Sequence, residues 1–175
     1  MPTSPLDQLT RRVKRYFKTN AARYGLNPRA VSVRYLLNWG GFVNASFHIS
    51  DGQHALHLKL TDYEDSLACL QRWLAVHTLL EERYRAPRLL EWFELEEGDY
   101  AGLLFEHLPA RPANFSAEPD LHSQVLALAS ALHADRELAA HLAAGQPVPI
   151  CAESLIATYI DRFDEDLMAV IADLP

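Results

Sequence analysis

The stretch from His54 to Leu60 sets the terms for the rest of the chain. Leu56, Leu58 and Leu60 alternate with Ala55, His57 and Lys59. Successive side chains on a strand point to opposite faces, so this segment predicts a β-strand with one apolar and one polar face. Upstream, Val31, Val33, Tyr35 and Leu37 alternate in the same way, and residues 42–50 are again rich in strand formers. Gly40-Gly41 separates these two runs, and Asp51-Gly52 is a hairpin turn signal before the third. Three antiparallel strands in a row follow.

On either side the period lengthens. Leu6, Leu9, Val13, Tyr16 and Phe17 recur at three- and four-residue steps and predict an amphipathic first helix. Leu67, Leu70, Leu74, His77 and Leu80 predict a second over about 64–83. Pro87 then opens a strand over 88–95, Gly98-Asp99 turns it, and residues 100–108 return as an apolar strand that stops at Pro109. Pro109, Pro112 and Pro119 mark a linker over 109–120, and beyond it the pattern is helical over 121–142 and again over 153–171. The expected fold class is α+β: a five-stranded antiparallel sheet with one inserted helix, preceded by a helix and followed by helices. The expected divisions are 1–108, 109–120 and 121–175.

Composition narrows the function classes. With 175 residues, 49% hydrophobic and 22% charged, the chain has the balance of a soluble globular protein. No apolar stretch approaches the roughly 20 residues that cross a bilayer, and the N-terminus has no basic region leading into an apolar one, so a cytoplasmic location is expected. Cys69 and Cys151 show no CxxC spacing and are expected to be reduced packing residues, Cys69 on the inner side of its helix. The net charge is −7, yet eight of the sixteen Lys and Arg residues, and one of the 23 Asp and Glu residues, fall in the first 34 positions. That cluster is one helix long and reads as the solvated face of the first helix. The acidic remainder repels phosphate, so neither nucleic acid nor a membrane is an expected partner.

Lys59 is the only lysine after Lys18, and it stands on an otherwise apolar strand. Such a lysine either snorkels to water from an edge strand or is held to meet an anion. The segment from Gly40 to Phe47, Gly-Gly-Phe-Val-Asn-Ala-Ser-Phe, joins the first two strands. Glycines and small polar residues there let backbone N–H groups approach phosphate oxygens, while the lysine supplies charge.

These residues, with His-Leu-Lys-Leu at 57–60, Arg-Trp-Leu at 72–74, Ala-Pro-Arg-Leu-Leu at 86–90 and Gly-Leu-Leu-Phe-Glu-His-Leu-Pro at 102–109, resemble successive landmarks of the aminoglycoside phosphotransferase and choline kinase superfamily, which has the protein-kinase-like fold. The resemblance covers about residues 31–133. It implies a kinase-like N-lobe followed by the first helices of an incomplete C-lobe, with ATP as cofactor. Residues 40–47, including Gly40, Gly41, Asn44 and Ser46, would cover the nucleotide, and Lys59 would contact its phosphates. His57 would face the adenine and Phe105 would back the pocket. Glu106 to Leu108 would be the hinge that pairs with the adenine edge.

Two departures limit the reading. The family pairs its lysine with a glutamate on the inserted helix; here Leu67 occupies that place, and Glu64, one turn earlier, is the candidate substitute. The family's catalytic loop, His-Gly-Asp with a later asparagine, is absent. His133-Ala-Asp135 is the nearest approach to it, but Asn114 is the last asparagine, so ligands for Mg²⁺ are missing. The acidic residues Asp161, Asp164, Glu165 and Asp166 fall within an apolar helical period and read as a solvated face. The eight histidines show no zinc spacing, and no Gly-x-Ser-x-Gly is present. The expected function is the ATP-binding portion of a phosphotransferase that phosphorylates a hydroxyl of a small metabolite or antibiotic. The alternative is a non-catalytic nucleotide-binding or protein-interaction module on the same scaffold.

Overall fold

Ser4 and Pro5 start the first helix. The Ser4 hydroxyl accepts from the Asp7 N–H at 3.1 Å, the Asp7 carboxylate accepts from the Ser4 N–H, and Pro5 brings a φ already fixed for the first helical position. Helix α1 runs Pro5–Thr19 and turns Leu9, Val13 and Phe17 inward, leaving Leu6 exposed. A 3-10 turn at Ala21–Tyr24 carries the chain to the sheet. The computed structural model describes residues 4–37, 44–95, 99–109 and 118–144. Gly40, Gly41, Cys151, the acidic residues 161–166 and the helix expected over 153–171 lie outside the described residues.

Five strands form one sheet: β1 Ser32–Leu36, β2 Ala45–Ser50, β3 Ala55–Thr61, β4 Leu89–Leu95 and β5 Tyr100–Glu106, with helix α2, Glu64–Tyr84, between β3 and β4. Every pairing is antiparallel and the order is β1-β2-β3-β5-β4. The architecture is therefore α+β with one helix inserted after the third strand, as the periodicity predicts. β3 lies at the centre, so Lys59 does not reach water from a sheet edge. At the β2–β3 hairpin Gly52 takes a φ of 92°, and the Asp51 carboxylate closes the turn by accepting from the Gln53 and His54 N–H groups at 2.9 and 2.8 Å.

The alternation divides the sheet cleanly. On one face Phe47, Ile49, Leu56, Leu58, Leu60, Phe93, Leu95 and Leu104 bury against Leu9, Val13 and Phe17 of α1. On the other, Leu70, Trp73 and Leu74 of α2 pack on Leu103 and Phe105 of β5 and on Leu89 and Trp92 of β4. In β4 the register skips from Leu89↔Phe105 to Glu91↔Leu104. Leu90 is the extra residue of a bulge, and it is exposed.

Two expectations are corrected. The helix expected over 121–142 is two helices, α3 Pro119–Ala134 and α4 Arg136–Ala143. Asp135 breaks it: its backbone is extended and its carboxylate accepts from the Leu138 N–H at 2.9 Å, so it caps α4 instead of continuing α3. Cys69 is exposed rather than packed; α2 turns Ser66, Leu70 and Trp73 toward the sheet, and the Cys69 Sγ meets the Arg72 guanidinium at 2.9 Å. Backbone contacts divide the chain into two units, Met1–His141 and Leu142–Pro175. All the elements above belong to the first, save the last two residues of α4.

Candidate functional site

The α2-side face of the sheet is built in rows by the strand register. Lys59 stands opposite Ser46 on β2 and Leu103 on β5, and His57 stands opposite His48 and Phe105. Arg34 of β1 extends the second row beyond His48. The rows are about 7 Å apart, two residues along a strand. The apolar side chains of α2 meet β5 and β4. The β2–β3 half of the face carries Ser46, His48, His57 and Lys59 in their place.

Among the described residues, several polar atoms here lack partners. Ser46 Oγ and His57 Nε2 are buried without a hydrogen bond, as are Asn44 Oδ1, two residues before Ser46, and Ser66 Oγ on the first turn of α2. Buried polar atoms in folded proteins are nearly always paired, and each orphan costs about 1–3 kcal/mol. Two of them flank Lys59: Ser46 stands opposite it in register and His57 two residues before it on β3. Burial is the first cause that drives the His57 pKa down to about 4, and the positive charge of Lys59, then of His107 and His48, adds to it. His57 is therefore a neutral ring near pH 7. Burial, then His107 and Arg34, likewise lower the pKa of His48, whose ring meets that of His107 edge-on at 4.5 Å.

Phe105 is buried between two rings, Trp73 at 5.0 Å and His57 at 6.2 Å. Just past it the strand ends. The Glu106 N–H donates to the Arg88 carbonyl at 2.9 Å, its carboxylate pairs with Arg88, and the His107 N–H donates to the Ala55 carbonyl at 3.2 Å. Leu108 is 47% exposed, and among the described residues its N–H has no acceptor. Ser46, His57, Lys59 and Phe105 are thus brought onto one face, with Glu106 and Leu108 at its end and Asn44 at the mouth of the β1–β2 connection. Glu64, the first residue of α2, is exposed, and among the described residues no hydrogen bond or ion pair joins it to Lys59.

Comparison with models of protein families, with curated proteins and with solved structures finds no match to this chain.

Residues that the sequence motifs passed over complete the face. Ser66, one turn before Leu70 on the inner stripe of α2, is 4% exposed; a serine inside an i, i+4, i+7 apolar series is the signal that marks it. His48 and His107 come together only through the β2–β3–β5 register, and no local pattern announces it. Asp135, nearest in sequence to a catalytic aspartate, is occupied structurally: it accepts from the Tyr84 hydroxyl at 2.8 Å and pairs with Arg83 at 3.0 Å. Arg83 also pairs with Glu137. Among the described residues no group of three His, Cys, Asp or Glu side chains could hold a metal ion, and no helix is long and apolar enough to cross a membrane. A cleft of about 690 Å³ opens past the strand ends, lined by Arg23, Tyr24, Arg88 and Glu91 and adjoining this face at Glu106 and His107. Its Arg23 and Tyr24 both bind Glu91, the tyrosine at 2.6 Å.

Proposed function

We propose that the β2–β3 half of the α2-side face binds a nucleotide, and that this chain is the ATP-binding lobe of a small-molecule phosphotransferase resembling the aminoglycoside phosphotransferase and choline kinase superfamily. One observation carries the reading: among the described residues Ser46 Oγ and His57 Nε2 are buried without partners beside the half-buried Lys59 on one face, and Asn44 Oδ1, just before β2, is likewise unpaired. A ligand that satisfies them brings an anionic end for Lys59 and a planar, polar-edged ring for the neutral His57 and Phe105. A nucleotide has both. Ser46 and Asn44 then bind phosphate or ribose oxygens, and the free Leu108 N–H, with the carbonyls of residues 106–108, meets the edge of the base. Gly40 and Gly41 let the preceding loop backbone come close to the phosphates.

Bound Mg²⁺ would neutralise phosphate charge, but the described residues supply no cluster of ligands for it and the sequence has no asparagine after Asn114. This chain therefore holds and orients ATP without transferring its γ-phosphoryl group; transfer to the hydroxyl of a small metabolite or antibiotic needs a base and metal ligands beyond those described. The reading places the protein in the cytoplasm, with ATP. A second reading, a non-catalytic nucleotide-binding or protein-interaction module, is favoured by one observation: among the described residues no carboxylate pairs with Lys59.

Isothermal titration of MgATP into the 175-residue chain and its Lys59→Ala variant tests the site. Weak binding by the wild type that falls at least about tenfold in the variant is expected, the loss of a charge-assisted contact. Equal heats for the two proteins remove Lys59 from the site.

A further inference from the structure

We propose that Ser66, on the first turn of α2, binds the phosphates of a nucleotide beyond the first, so that the site tells a nucleoside triphosphate from a monophosphate. The proposal rests on the nucleotide reading of this face.

The rows of the sheet set where each end of the ligand lies. The base belongs to the row of His57 and Phe105 and to residues 106–108 past it, which leaves the opposite direction along β3 for the phosphates. In that direction stand Lys59 with Ser46 opposite it, then Thr61, buried on the same face by alternation, and then the start of α2 at Glu64. α2 doubles back over the sheet: Leu70 packs on Leu103, the partner of Lys59 in register, and Trp73 meets Phe105 at 5.0 Å. Ser66 precedes Trp73 by about 10 Å of helix axis, and so lies toward the Lys59 and Thr61 rows and away from the base.

Ser66 is 4% exposed, and among the described residues its Oγ has no hydrogen-bond partner; Ser46, 3% exposed, has the same lack on the sheet. A serine on an inner stripe that continues with Leu70 and Trp73 costs stability unless something completes its hydroxyl. Local hydrogen bonds leave it out. The Tyr63 N–H donates to the Thr61 Oγ1 at 3.1 Å, and the Leu67 N–H to the Tyr63 carbonyl at 2.9 Å. Nearby acids do not stand in for a ligand either. The Asp62 carboxylate accepts from the hydroxyl of Tyr100, a residue of the α1-side core, and Glu64 is exposed.

A phosphate oxygen is the acceptor that suits both buried serines. A hydroxyl donates to it, adding to the charge of Lys59 instead of competing for it, and a bond to an ionised acceptor is stronger than a neutral one. The N-terminal end of a long helix adds its own positive potential. With the base held at His57, a single phosphate reaches the Lys59 row, about 7 Å along, and only a longer polyphosphate runs on to Ser66.

Isothermal titration of MgATP, AMP and inorganic tripolyphosphate into the 175-residue chain and its Ser66→Ala variant tests this, together with urea unfolding of both proteins. The variant is expected to bind MgATP and tripolyphosphate about tenfold more weakly, the worth of one hydrogen bond to a charged group, and AMP as the wild type does. Without ligand its urea midpoint is expected to equal or exceed that of the wild type, because the buried orphan is gone; a serine that only supports the helix would lower the midpoint and leave the ratio of ATP to AMP affinity unchanged. A loss shared equally by MgATP and AMP, or no loss, overturns the role of Ser66 and leaves the nucleotide reading standing. Tripolyphosphate binding that depends on Ser66, with no binding of either nucleotide, overturns the nucleotide reading instead, and a wild type that binds none of the three overturns both. If the variant does not fold, the amide NMR signal of Ser66 in the wild type decides: it is expected to shift with MgATP and with tripolyphosphate but not with AMP, and a signal unmoved by bound MgATP removes Ser66 from the site.

Discussion

The two faces of the sheet are made by the same strands and treated in opposite ways. On the α1 side the middle of the sheet is apolar and buried, with Glu91 and Glu106, opposite Leu104 and Leu56, only at its margin; Phe17 stacks on Phe93 with ring centres 5.6 Å apart, and Tyr16 meets Phe93 edge-on at 4.8 Å. On the α2 side the apolar packing stops at β5, and β2 and β3 present imidazoles, a lysine and a serine, with buried atoms left unpaired. Leu58, fully buried, sits between His57 and Lys59 in the chain. Burial on one face stabilises the sheet enough to carry, on the other, polar atoms that have no partner among the described residues.

The seam between β3 and β5 serves both faces, so breaking it gives the largest effect. A Cβ on Gly102 falls 1.8 Å from the Lys59 carbonyl oxygen and 2.8 Å from its carbon. Backbone cannot yield that distance without parting the strands. Gly102→Ala is expected to leave no cooperative unfolding transition in circular dichroism, and a variant with native thermal unfolding would show that β5 has room the geometry denies. Phe17→Ala addresses the α1 face alone. It should cost about 3–5 kcal/mol, measured as a lower urea midpoint, while the folded fraction keeps its affinity for MgATP. Lys59→Ala should do the reverse, moving stability by less than about 1 kcal/mol. If Phe17→Ala weakens ATP binding as much as Lys59→Ala, the division of labour between the faces is wrong.

How much of this could be read from the sequence follows from which interactions are local. The alternation of residues 55–60 defines β3 and both its faces, and the α1 stripe Leu9, Val13, Phe17 needs only the helical period. The α3–α4 break was not legible, because Asp135 fits a helical stretch until Tyr84 and Arg83, more than 50 positions earlier, bind its carboxylate. Cys69 misleads for a related reason: α2 has weak amphipathicity, and only the packing of Leu70 on Leu103 decides which side faces in. In the site, Lys59, His57 and Ser46 stand out by residue type on a strand. The His48–His107 contact depends on the register of three strands, 59 positions apart, and nothing in either neighbourhood encodes it.

The basic half of the α2-side face also gives the protein an acid weakness. His57 has a folded-state pKa of about 4, below the ordinary value of 6.5. A base whose pKa is depressed by folding favours the folded state when neutral, so its contribution is complete above about pH 6.5 and is lost as the pH falls toward 4. The Asp135 carboxylate, held near 2 by the Leu138 N–H and the Tyr84 hydroxyl, gives up its contribution only between about 4 and 2, so the two windows separate. Urea midpoints measured from pH 7 to 4 should fall for the wild type and flatten for His57→Leu. An equal decline in both proteins would move the acid sensitivity away from this face.

The smallest expected effects concern how each face's helix begins. α1 opens with a reciprocal capping box between Ser4 and Asp7, whereas α2 opens at Tyr63, whose extended backbone suits a cap but whose side chain, 66% exposed, makes no capping hydrogen bond. Ser4→Ala should therefore cost about 1 kcal/mol, the usual worth of a cap, and Tyr63→Ser should gain at most about 1 kcal/mol by supplying a missing acceptor to the first turn of α2. The first change touches only the stabilising face and should leave MgATP affinity unaltered. The second steadies the turn that carries Ser66, so if that serine belongs to the nucleotide surface, calorimetry should show tighter binding along with the higher urea midpoint. A gain in stability with unchanged affinity would confine the site to β2, β3 and the end of β5, and would make α2 a cover for the apolar half of its face and no more.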